Sequence, residues 1–144
     1  MKEAYVTYET SKLLKEKGFD WFTYTYYTKD DVDEKPYFGM ENLCPDNWNG
    51  EVDEVNDLWF SAPTQQMACR WLREVHNIFI GVGIGEDLDG EFGYMPFIHI
   101  LDNLSCPDGK YVPDVDADGI CDLTPQTYED AVEAALQYTL TNLI

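Results

Sequence analysis

The residues of this 144-residue chain best suited to chemistry lie in one acidic loop, Asp114-Val115-Asp116-Ala117-Asp118-Gly119-Ile120-Cys121-Asp122. Calcium takes about six to eight oxygens on a flexible loop. Asp114, Asp116, Asp118 and Asp122 would supply carboxylates at loop positions one, three, five and nine. Gly119 would make the sharp turn, and the Ile120 carbonyl would serve as the backbone ligand. Cys106, before the loop, and Cys121, near its end, could pair in an oxidising compartment, but no two of the four cysteines form a CxxC pair. Cys69 and His76 are seven residues apart, ~10 Å along a helix, which is too far for both to ligate one ion. His99 is the second histidine. A histidine beside Cys69 or Cys106 would make a nucleophile and base, but no local motif brings such a pair together.

The acidic loop resembles the first nine positions of an EF-hand, or of the aspartate-rich repeats of extracellular calcium proteins. It departs where the bidentate glutamate should stand, because that position is Pro125. No Walker loop, GxSxG, HExxH or dinucleotide fingerprint occurs. GVGIG at Gly81–Gly85 has the look of a phosphate loop, but its glycines alternate along a strand and no helix follows to present amides. Gly81, Gly83 and Gly85 instead smooth one face of that strand, with a neighbouring aromatic expected to lie across it.

Charge narrows the classes further. With 28 acidic and 9 basic residues the net charge is −19, which repels nucleic-acid backbones and anionic membranes and attracts cations. A hydrophobic content of 44%, with 15% aromatic residues, argues for a packed domain rather than disorder. The N-terminal stretch lacks the apolar core of a signal peptide, and no segment approaches a membrane span. The expected compartment is therefore cytoplasmic, with reduced thiols.

These residues need a frame. SAPTQQMACRWLREVHNIFIGVGIG, from Ser61, reads as a helix running into a strand, capped by Ser61 or Thr64 and stopped by Asn77. Met67, Ala68, Trp71, Leu72 and Val75 share its apolar face. Helices are expected near 8–17, 63–76 and 126–143, and strands near 20–28, 57–61, 78–85 and 92–101. Gly18 suits a left-handed helix end that folds Phe19 back on Leu14. Phe22, Tyr24 and Tyr26 are expected to point inward, in register with Ile80, Val82 and Ile84 of a second helix–strand unit. Pro96 demands an edge or a bulge. The stretches 29–57 and 102–124 read as acidic excursions, the first holding ten acids and the aromatics Tyr37, Phe38 and Trp48. The expected fold is a single α+β domain over residues 1–144: two layers, a sheet of about four strands and three helices, in the order α-β-β-α-β-β-α.

SKLLKEKGFD, APTQQMACRWLREVHNI and YEDAVEAALQYTLTNLI resemble conserved blocks of small uncharacterised proteins encoded by phages and prophages of gut Bacteroidetes. The resemblance implies a small accessory protein of the bacterial cytoplasm, and brings no activity, cofactor or catalytic residue. The expected function is a non-catalytic protein-interaction role with a host or phage partner, through Tyr37, Phe38 and Trp48. The alternatives are a small hydrolase or transferase using a histidine or cysteine, and an acidic nucleic-acid mimic. No direct nucleic-acid or membrane binding is expected, and no cofactor beyond weak calcium. Lacking its twelfth-position ligand, the Asp114–Asp122 loop should bind calcium only at about 10⁻⁴–10⁻³ M. Millimolar calcium should then raise the melting temperature slightly, and Asp116→Asn with Asp118→Asn should abolish the rise. Micromolar affinity by calorimetry would contradict this.

Overall fold

The computed structural model describes residues 3–29, 35–39, 47–50, 59–86, 90–101, 110–111 and 127–144. It has the α+β class expected, in the order α1 (Tyr8–Glu16), β1 (Thr25–Thr28), β2 (Tyr37–Phe38), β3 (Trp59–Ser61), α2 (Gln65–His76), β4 (Ile78–Glu86), β5 (Phe92–Ile100), β6 (Lys110–Tyr111) and α3 (Tyr128–Asn142). The chain divides into two compact units, Met1–Ala68 and Cys69–Ile144, with the boundary inside α2. Instead of one sheet of about four strands there are two three-stranded sheets, ordered β2-β1-β3 and β4-β5-β6. Local pairing explains the division. β1 takes both of its partners, β2 and β3, from the first unit, while β4 and β5 form a hairpin in the second.

In the first unit, Thr7 caps α1 by accepting a hydrogen bond from the Thr10 N–H at 3.3 Å. The helix ends as its sequence dictates. Gly18 sits at φ 82°, its N–H reaches the Lys15 carbonyl, and the Phe19 N–H reaches that of Leu14. This double closure satisfies two end carbonyls and buries Phe19 and Leu14. The N-terminal segment runs beside the entry to α2: Val6 N–H donates to the Pro63 carbonyl and Gln65 N–H to that of Ala4. Thr64 is the cap of α2, accepting from the Met67 N–H at 3.2 Å, and Asn77 stops the helix at φ 57°. On α2, Ala68, Trp71 and Leu72 are buried, whereas Val75 is exposed despite lying on the expected apolar face.

The phase of β1 is opposite to the expected one. Thr23, Thr25 and Tyr27 point inward, and Phe22 and Tyr24 are exposed. The threonines can be buried cheaply because their hydroxyls are satisfied. Thr23 donates to the Thr25 carbonyl, and Thr25 to that of Ala62. Tyr27 is equally well served, its hydroxyl donating to the Val6 carbonyl at 2.9 Å. The helix–strand echo fails on the same point: β4 follows α2 after one residue, while β1 starts well beyond α1.

In the second unit β4 and β5 pair without a break from Ile78↔Ile100 to Glu86↔Phe92, so Pro96 causes no bulge. Leu101 N–H donates to the Asn77 carbonyl, which makes that pair hydrogen-bonded and, by alternation, Val82↔Pro96 a non-hydrogen-bonded pair. The missing donor of Pro96 thus faces away from β4, on the side where β6 pairs only with His99 and Ile100. α3, capped by the Thr127 hydroxyl, packs across β4 and β5 through Val132, Ala135, Leu136 and Leu140. Burial fades along β4: Ile78 and Ile80 are buried, while Ile84 is 77% exposed.

The other face of this hairpin carries the glycines. A Cβ added at Gly81 would overlap the Phe97 ring, and one at Gly85 would overlap the Met95 sulfur. An aromatic does lie across the strand. Gly81→Ala should therefore cost about 1–3 kcal/mol by overpacking. In a Phe97→Ala background the same change should be neutral or stabilising, by up to ~1 kcal/mol, because alanine then only relieves the glycine's entropy cost. Denaturant melts of the four proteins check the change of sign.

Candidate functional site

The stretch beginning at Thr23 places rings on both faces of the first sheet. Tyr27 and Phe60 are cross-strand partners on one face, and the Tyr8 ring of α1 lies edge-on to both, at centroid distances of 5.8 and 5.5 Å. Two lysines of α1 lie over rings here: Lys15 Nζ is 5.1 Å from the Phe60 centroid on β3, and Lys12 Nζ 5.2 Å from that of Tyr8 on its own helix. Lys15 also donates to the Trp59 carbonyl at 3.0 Å. Covered rings and aliphatic stems of this kind are structural packing.

The opposite face is different. Tyr26 is directly opposite Tyr37 on β2 and Ser61 on β3, and Thr28 is opposite Trp59, so these side chains share a face. Trp48 lies flat on Tyr26, with centroids 4.1 Å apart and planes at 26°, and meets Trp59 edge-on at 5.3 Å. Tyr37 flanks Tyr26 at 5.7 Å. Trp48 is only 6% exposed, whereas Tyr37 is 42% and Trp59 39% exposed. Of the three aromatics expected to meet a partner, Trp48 is thus a buried support. Tyr37 and Phe38 are exposed, and Phe38, opposite Thr25, turns to the covered face where Tyr5 meets it edge-on.

Trp48 is held by a short polar clamp, Asn47-Trp48-Asn49-Gly50. The indole N–H donates to the Thr23 carbonyl at 2.8 Å. Asn47 Oδ1 accepts from the Asn49 N–H at 2.8 Å and from the Ser61 hydroxyl at 3.2 Å. Asn49 Oδ1 accepts from the Ser61 N–H, and its Nδ2 donates to the Phe19 carbonyl. The side-chain carbonyl of each asparagine thus accepts from Ser61, a residue of β3. The clamp thus fixes Trp48 against Tyr26 and the partly exposed Trp59.

The chemical residues look different. The Cys69 thiol is pushed up to about 11, mainly by burial, with Arg73 opposing and Glu133 adding to the shift. Burial also lowers His76, whose ring lies 4.6 Å from Trp71 and whose Nε2 is covered without a partner. His99 lies on β5 opposite Phe79, edge-on to Phe97. Asp114, Asp116, Asp118, Ile120 and Asp122 lie outside the described residues, as do Cys106 and Cys121. Among the described residues no three of His, Cys, Asp and Glu gather as metal ligands. No protein-family model, curated protein or solved structure matches the chain.

Tyr26, expected to point inward, and Trp59, given no face by the sequence, are the further members of the open face. Trp59 sits in a three-residue strand, too short for its alternation to show which side it faces. For Cys69 the consequence is measurable. With its pKa raised from 9.0 to about 11 by burial, its thiolate fraction near pH 8 should be about 100-fold below that of an ordinary cysteine. Iodoacetamide labelling followed by peptide mapping should show Cys69 modified slowly in the folded protein and at the ordinary rate in denaturant. Rapid labelling of the native thiol would restore it as a candidate nucleophile.

Proposed function

We propose that this protein is a non-catalytic accessory protein of phage or prophage origin, working in the bacterial cytoplasm by binding another protein through the open face of the β2-β1-β3 sheet. The observation that carries this reading is the pair of partly exposed rings, Tyr37 and Trp59, that flank Tyr26, on which the buried Trp48 lies. Rings that are both ordered and exposed suit binding, because they bring large contact area while little side-chain freedom is left to lose. Exposed aromatics of this kind are typical anchors of protein interfaces. One further fact supports it: burial pushes the Cys69 thiol up to about 11, which disfavours it as a nucleophile. Among the described residues no helix is long and apolar enough to cross a membrane.

The test is affinity capture from a lysate of a phage-bearing Bacteroidetes host, with wild-type protein and Trp59→Ala immobilised in parallel. The reading expects a protein retained by the wild type, lost from Trp59→Ala and insensitive to nuclease. Identical retained sets, or retention abolished by nuclease, would overturn it.

A further inference from the structure

The chemistry of the open face also selects its partner. We infer that it takes an arginine- or lysine-bearing segment of another protein, with a cation seated on the exposed ring of Trp59. This rests on the reading of the face as a protein-binding surface.

Three observations converge on it. First, the covered face of the same sheet already holds a cation on a ring: Lys15 of α1 lies over Phe60 of β3, as Lys12 lies over Tyr8 within α1. Among the described residues no cation lies over Tyr26, Trp48 or Trp59, yet tryptophan is the better ring for this contact. Secondly, the chain carries −19, and the stretch 29–57 that contributes β2 and the Trp48 clamp holds ten acids against Lys29 and Lys35. Asp46 directly precedes the clamp, Glu51 directly follows it, and Asp57 precedes Trp59 by two residues. A field of that sign attracts a basic segment from a distance and repels nucleic acid or an acidic peptide. Thirdly, the Trp59 ring is partly open but buttressed by Trp48, so it need not be ordered on binding. Long-range attraction brings the cation to the sheet, and the ring face fixes where it sits.

Three blocked peptides of equal length provide the test: one alternating arginine and glycine, one with glutamine for arginine, and one with glutamate. Binding is read by calorimetry and by tryptophan fluorescence. The arginine peptide should bind, weakening as salt is raised, and the other two should not. Trp59→Leu, which keeps apolar bulk and removes the π face, should weaken it about three- to tenfold, while Trp59→Phe should retain most of the affinity. If Trp59→Leu does not fold by circular dichroism, Trp59→Met, which also lacks a π face, carries the same expectation of weakening. Equal binding to wild type and to the folded variant would reduce the effect to bulk charge attraction and overturn the inference. Binding of the glutamine or glutamate peptide through Trp59 would overturn the basic partner while leaving the interaction surface standing. Tight binding of oligothymidylate through the same ring would overturn both. If no peptide binds, the inference falls, and the lysate capture then decides whether the surface itself survives.

Discussion

A three-stranded sheet packed against one helix has a second face, and each sheet here meets that constraint within its own unit. In the first unit α1 packs on the side of Tyr27 and Phe60, and on the other side Trp48 lies on Tyr26 while Tyr37 and Trp59 stay partly exposed. In the second unit α3 packs on the hairpin, and the other side is closed by Phe97 and Met95 lying over Gly81 and Gly85. Both solutions lay a large flat or flexible side chain against the sheet, gaining dispersion contacts without a second helix. They differ in where that side chain comes from. Phe97 comes from the neighbouring strand, so its placement is fixed by register. Trp48 comes from a distant segment and must be brought back by its own hydrogen bonds.

That difference governs how much could be read from the chain. Helix ends were legible because capping is local: Gly18, Thr64 and Asn77 each act within a few residues of themselves. The glycine face of β4 was legible for the same reason, since bare positions alternating with isoleucine and valine imply a covering group. The phase of β1 was not. Hydropathy favours Phe22 and Tyr24 over Thr23 and Thr25 as inward residues. What reversed it was a set of acceptors, the carbonyls of Ala62 and Val6 among them, that only the folded chain brings near. The open aromatic face was half legible. The excursion's aromatics stood out, but that Trp48 would be the support and Trp59 the presented ring depends on Ser61 meeting Asn47 and Asn49.

The titratable groups follow the same logic of placement. Cys69 and His76 lie at the margin of the apolar stripe of α2, and both shift in the direction that removes charge. A thiol held protonated and an imidazole held neutral are what partial burial does to such groups. The acidic residues, by contrast, are numerous in the stretches between elements, ten of them in 29–57, rather than within the strands.

The clamp at Asn47–Gly50 also bears on how this chain can change. By returning to the sheet at Trp48, the chain converts the run between Phe38 and Trp59 from one long connection into two shorter ones, each anchored at both ends. The cost of closing a loop grows only as the logarithm of its length, by about 0.6 kcal/mol per doubling. Either connection can therefore lengthen, shorten or trade residues independently of the other, and the rings on the sheet keep their positions. Such a layout sets the geometry of the sheet and its clamp separately from the lengths of the two connections beside the exposed rings.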